Sequence, residues 1–198
     1  SDFSNKKQIK ELVLENARNY DRNNNQHYDV ISAFIKSMRG SDPDASLLWL
    51  AVMLDGGEDP VFIARRLIIF ASEDIGNADP SALVLATATL TAVKNIGMPE
   101  ARINLAHATT YLASTYKSNA SYMGINKALE YVKDRPNIEV PDYLKNFPQK
   151  DTYKYPHNFE GNFIKQKYTA EKDLPNFYSP SISGKEKLLK ERLLKLKD

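Results

Sequence analysis

Four almost evenly spaced prolines most constrain what this chain can fold into. Pro43, Pro60, Pro80 and Pro99 fall 17, 20 and 19 residues apart, and the first three follow Asp42, Asp59 and Asp79. Proline suits the first helical position, where its missing N–H would have no partner anyway, and a preceding Asp accepts bonds from the free amides of the first turn. Each Asp-Pro pair therefore marks a helix start, and Met98-Pro99 marks a fourth. Gly56-Gly57, Gly76 and Gly97 close the first three segments, since glycine readily enters the left-handed conformation in which helices commonly end. The spacing leaves room for helices of about 14–16 residues joined by short turns, which predicts a sequential antiparallel array.

Two further helices precede these, roughly Lys6–Asn19 and His27–Arg39, separated by a polar loop over 21–26. Another runs from Ser118, a suitable N-cap, to about Lys133. The segment VFIARRLIIFASEDIG after Pro60 is apolar nearly all round, which predicts the most buried helix and the centre of the core. In SALVLATATLTAVKN, small Ala and Thr side chains let neighbouring helix axes approach closely.

After residue 135 the texture changes. Six of the ten prolines lie there, and Phe147 to Tyr178 holds eight aromatic residues with no helical period. A disordered linker would be poor in rings, so this segment reads as ordered, irregular chain wrapping the helical body with aromatic anchors. Its last piece, Gly184 to Asp198, is amphipathic, with Leu188, Leu189, Leu193, Leu194 and Leu196 on one broad face.

Several function classes drop out. With no cysteine the chain can be neither a disulfide scaffold nor a thiolate-ligated zinc or iron–sulfur protein. No apolar run approaches the roughly 18–20 residues that span a bilayer, and SDFSNKKQIK is not a signal peptide, so a cytoplasmic, non-membrane protein is expected. GxxxxGK[ST], GxGxxG, GxSxG and HExxH are all absent, and His27, His107 and His157 are scattered, so no catalytic, cofactor or metal site is expected in these residues. The near-neutral balance of 27 Lys+Arg against 25 Asp+Glu conceals two unlike parts: residues 1–140 hold 15 basic and 17 acidic side chains, net −2, and residues 141–198 hold 12 and 8, net +4.

Four constellations remain. Lys36 and Arg39 before Gly40-Ser41-Asp42 read either as a subunit or phosphate contact, or as a cap with a local ion pair. Arg66, in the most apolar helix, needs a partner if buried, and Glu73 two turns on is the candidate for a structural ion pair. Lys117-Ser118-Asn119 reads as a lysine at a cleft or as a solvated helix start. Finally, Lys150, Lys154, Lys165, Lys167 and Lys172 alternate with rings that either stack on unpaired bases or bury against the helices.

HYDVISAFIKSMRGSDPDASLLWLAVMLDGGEDPVFIARRLIIFASEDIGNADPSAL (His27–Leu83), GMPEARINLAHATTYLA (Gly97–Ala113) and KSNASY (Lys117–Tyr122) strongly resemble the C-terminal region of the MgsA/RarA replication-associated recombination ATPases, which are similar to the eukaryotic Werner-helicase-interacting ATPase. VPDYLKN (Val140–Asn146), YKYPHNFEGNFIKQKY (Tyr153–Tyr168) and FYSP (Phe177–Pro180) resemble that family's end. Departures are mild: Val52, Asp55 and Gly56 stand where the family often carries Arg or acidic residues, and Lys167 interrupts a QQY-like element. The resemblance implies that a P-loop AAA+ module, with its ATP and Mg²⁺, precedes residue 1. It implies an all-α fold: a tail of the AAA+ lid and linker over 1–26, a helical array over 27–135 resembling a clamp-loader collar, and the proline- and aromatic-rich wrap over 136–198 ending in a basic amphipathic helix. It further implies a homo-oligomer, a tetramer in the family, acting on DNA at the replication fork in the nucleoid. Arg39, Asp42 and Trp49 are the expected oligomer contacts; Lys154, Lys165, Lys167, Lys187 and Lys190 are the expected DNA contacts if the tail binds nucleic acid.

Overall fold

The computed structural model describes residues 27–150 and 152–196, so the expected Lys6–Asn19 helix and the 1–26 lid segment lie outside it. Among the described residues there are seven α-helices and no strand: α1 (27–39), α2 (Pro43–Asp55), α3 (Pro60–Phe70), α4 (Ser81–Ile96), α5 (Ala101–Ser114), α6 (Ala120–Lys133) and α7 (Glu186–Lys195). The fold is all-α. None of these helices is long and apolar enough to cross a membrane.

The aspartates before proline act as their chemistry requires. Asp42 Oδ1 accepts from Ala45 N and Asp59 Oδ1 from Val61 N, each at 2.9 Å, with Pro43 and Pro60 opening their helices. Asp79 Oδ1 accepts from Ser81 N at 3.1 Å, and Pro80 stands just before the helix. Pro99 differs, because it belongs to the turn and α5 begins at Ala101.

The centre of the core is shared more widely than the apolarity of the α3 segment predicts. α5 touches α2, α3 and α4, and its buried Ala101, Leu105, Ala108 and Leu112 form the face on which they meet. α2 packs on α5 rather than on its chain neighbour α3. Small residues allow this: Ala82, Ala86 and Thr89 of α4 and Ala64 of α3 leave room for close helix approach. α1 contributes Ile31, Phe34, Ile35 and Met38 to the same cluster.

At the end of α3 the winding loosens into a π-helical turn, Ala71–Ile75, closed by a bond from Gly76 N to Ala71 O. A π turn takes one extra residue, so side chains beyond it rotate away from α-helical register. The expected pair of Arg66 with Glu73 is not formed for this reason. Glu73 and Asp74 face α1, where Arg39 meets them.

Between α6 and α7 the chain forms an arm that, among its described residues, has three short 3-10 turns and no longer helix. Its rings do not anchor it as expected, because Phe147, Tyr153, Tyr155, Phe159, Phe163 and Tyr168 are all exposed, Phe147 by 94%. Polar bonds hold the arm together. Tyr143 Oη donates to Lys167 O at 2.7 Å, Gln166 brackets the Lys154 backbone at 3.2 and 2.7 Å, and Tyr131 Oη on α6 donates to Glu171 Oε2 at 2.6 Å. The arm's end docks on α6. Phe177 meets the Tyr131 ring edge-on, with centroids 5.5 Å apart, where Gly124 of α6 leaves space for the Phe177 backbone.

Candidate interaction surfaces

A polar seam runs through the molecule where four segments meet. Arg39, closing α1, donates from Nε to Asp74 Oδ1 at 2.6 Å and from Nη2 to Asp74 Oδ2 at 3.2 Å. Two parallel bonds to one carboxylate are the geometry that a guanidinium fork provides. The Asp74 carbonyl accepts from Ser118 N at 2.8 Å, and the Ser118 hydroxyl donates to Glu186 Oε2 in the first turn of α7. Glu186 is fully buried and also accepts from Ser181 Oγ at 2.5 Å, Ser181 N at 3.1 Å and Tyr178 Oη at 2.8 Å. Asn77 Nδ2 donates to Tyr178 Oη at 3.1 Å. Sequence reasoning placed Ser118 at a helix start and passed over Glu186; the only signal was a lone glutamate opening a basic helix just after Tyr178, Ser181 and Ser183.

Burial would push the Glu186 carboxyl up, but the bonds from Ser118, Ser181 and Tyr178 outweigh it and hold the group below its ordinary 4.5. The same balance acts at Asp79. Burial there opposes bonds from Tyr111 Oη at 2.5 Å, Thr115 Oγ1 at 2.7 Å and Ser81 N, and the carboxyl ends below its ordinary 3.8. Desolvation lowers Lys117, whose Nζ donates to Thr115 O at 2.7 Å, Ala113 O at 3.1 Å and Ser41 Oγ at 3.2 Å. These groups are pins: each donor and acceptor is consumed within the fold, and none is placed as a nucleophile beside a base.

Other expected residues scatter. Asp42 caps α2, and Trp49 is half-buried with its side chain packed against the core. Arg66 lines a groove of about 440 Å³ between α1 and α3 together with Tyr28, Ile31, Ile35, Lys36, Arg39 and Phe62. Its Nε is buried there without a hydrogen bond, and Lys36 and Arg39 add cations to a lining otherwise mostly apolar and aromatic. The Gln166 bonds to the Lys154 backbone set the stretch of chain holding Lys154 and Tyr155 alongside the one holding Phe163, Lys165, Lys167 and Tyr168, and all six of these side chains are exposed. Lys187 and Lys190 stand apart on α7, where Lys187 Nζ is 3.9 Å from Glu191 Oε1. Among the described residues no three His, Asp or Glu side chains cluster as metal ligands would.

Comparison with known proteins matches almost the whole chain. Residues 40–197 match the family described as MgsA AAA+ ATPase C terminal, and residues 2–39 match the AAA C-terminal domain. The chain belongs to the MgsA AAA+ ATPase C-terminal family. It is 42% identical over 195 residues to replication-associated recombination protein A of Coxiella burnetii, and 35% identical over 195 residues to that of Escherichia coli K12. Each alignment covers 93% of this chain and 44% of the relative. ATPase WRNIP1 of Dictyostelium discoideum is 39% identical over 163 residues, 78% of this chain and 19% of that protein. The chain thus spans less than half the length of these relatives.

In this MgsA-type C-terminal region the two matched families meet between Arg39 and Gly40. The core does not respect that boundary. α1 lies on the AAA C-terminal side, yet its Phe34 and Met38 are fully buried in the cluster that α2 to α5 build, and its Arg39 grips Asp74.

Proposed function

We propose that these residues are the non-catalytic C-terminal region of a DNA-dependent AAA+ ATPase of replication-fork maintenance and recombination in the bacterial cytoplasm, and that their task is to hold the protein as a homo-oligomer, a tetramer. Family membership supports the ATPase assignment, and the names of the relatives support the recombination setting. ATP and Mg²⁺ belong to the ATPase module of such a protein, since this sequence has no P-loop.

The observation that carries the oligomer reading is α7. Its first turn is fixed by a buried carboxylate, yet Leu188, Leu189, Leu193 and Leu194 are all exposed. A helix held rigidly with its leucines in water is a surface built to be covered. Covering it with other subunits would set the ATPase modules around a common centre and raise their effective concentration on DNA. Size-exclusion chromatography with light scattering tests this directly. A multiple of the chain mass is expected, and a strict monomer at high micromolar concentration removes the reading.

A second reading rests on a different observation, the exposed rings of the arm interleaved with Lys154, Lys165 and Lys167. Such a surface suits unpaired bases, with stacking on the rings and phosphates near the lysines. Counterion release then makes affinity fall steeply with salt. Fluorescence anisotropy with single-stranded and forked DNA at two ionic strengths is the measurement, and no binding at low salt eliminates this reading.

A further inference from the structure

We propose that α7 of one copy docks its leucine stripe on the outward face of α2 of a second copy. This rests on the oligomer reading and goes further, by naming the two surfaces.

On α7, Leu189, Leu193 and Leu196 recur at helical spacing along one line. Leu189 is 41% exposed and Leu193 40%. Cations border this line: Lys185 precedes it and Arg192 lies beside it, both exposed. The helix's exposed acid, Glu191, lies on the other side and is engaged by Lys187.

On α2 the outward line reads Asp44, Leu48, Ala51, Val52 and Asp55, every one exposed. Leu48 is 57% and Val52 40% exposed. Here the aliphatic centre is bracketed by carboxylates at both ends. Asp55 is the last residue of α2, which has no basic residue in its last turn. A negative charge there opposes the helix dipole, so it weakens the isolated helix. A cation brought by another surface removes that conflict.

The two stripes are complementary in length as well as sign. Both run about 11 residues, some 16 Å of helix, with aliphatic side chains in the middle, bracketed by Asp44 and Asp55 on α2 and bordered by Lys185 and Arg192 at α7. α2 rests on α5 and α7 meets residues 76–78, and Leu48, Val52, Leu189 and Leu193 all stay exposed within one chain. The contact is between unlike patches, so it closes either as a reciprocal pair or as a ring.

The absence of cysteine makes the test clean. Light scattering on the full chain comes first, then on Leu48→Asp and Leu193→Asp, both surface changes whose folding is checked by far-UV circular dichroism. The expected result is an oligomeric parent and roughly tenfold or greater weakening of association in each variant. A mixture of Leu48→Cys chains with Leu193→Cys chains is then oxidised, and the disulfide-linked heterodimer is expected. An oligomeric parent whose variants associate equally well, with no heterodimer, overturns this docking and leaves the oligomer reading standing. A monomeric parent removes both, the stripes then belonging to another partner. In a chain carrying both cysteines, a disulfide closed within a monomer also overturns the docking.

Discussion

The helical body and the arm are two ways of fixing a chain. In the body the determinant is burial: Phe34, Met38, Ile63, Leu67, Phe70, Leu105 and Leu112 are essentially without solvent contact, and backbone bonds follow from the helices that carry them. In the arm the rings from Phe147 to Tyr168 stay exposed, and the chain there is held by a few side-chain bonds to backbone, such as those of Tyr143 and Gln166. Apolar burial is non-directional and summed over many contacts, whereas each polar staple fixes one position and little is lost elsewhere when it goes. Stability should therefore concentrate in the body, with the arm free to vary for what it touches.

The sharpest way to break this contrast is Phe34→Ala, which leaves a cavity in the shared core. It should cost about 3–5 kcal/mol in denaturant melts of the whole chain, and a loss confined to the 27–39 helix would mean that α1 is peripheral. Glu186→Ala comes next, because it orphans the hydroxyls of Ser118, Ser181 and Tyr178 at once. About 2–4 kcal/mol should be lost locally, read by hydrogen exchange as early opening of α7 while α5 stays protected.

That carboxyl also sets an acid limit. Its folded pKa lies below the ordinary 4.5, so its contribution is complete above that value and is lost as the pH falls through the lower folded one. Glu186→Gln should flatten this part of the pH–stability curve, and an unchanged curve would count against the network. Arg39→Ala ranks third. Arg39 is about half exposed and solvent screens it, so about 1–2 kcal/mol is expected despite the ideal fork. Smallest are Tyr155→Ala and Phe159→Ala, each within about 0.5 kcal/mol in the same melts; a larger loss would show that the rings brace the arm after all.

The body was legible because its signals are local. An aspartate before a proline caps a helix whatever surrounds it, and Asp42, Asp59 and Asp79 all do so. The alternation of small and large residues in α4 likewise announces its packing face. What escaped reading depends on contacts distant in sequence. Nothing near Glu73 indicates that a π turn will swing it from Arg66 toward Arg39, and Ser118 and Glu186 meet across 68 residues. The arm misled for another reason: ring content distinguishes order from disorder but says nothing of which side of a chain faces water.

The placement of α1 has a consequence for how such proteins are recombined. Two families meet between Arg39 and Gly40, and a swap of AAA+ parts between relatives would naturally be cut there. Such a cut would strip Phe34 and Met38 from the core and leave Asp74 without its cation. The inheritable unit therefore begins at or before residue 27, and a chimaera that keeps its own α1 with its own α2 to α5 should be the one that folds.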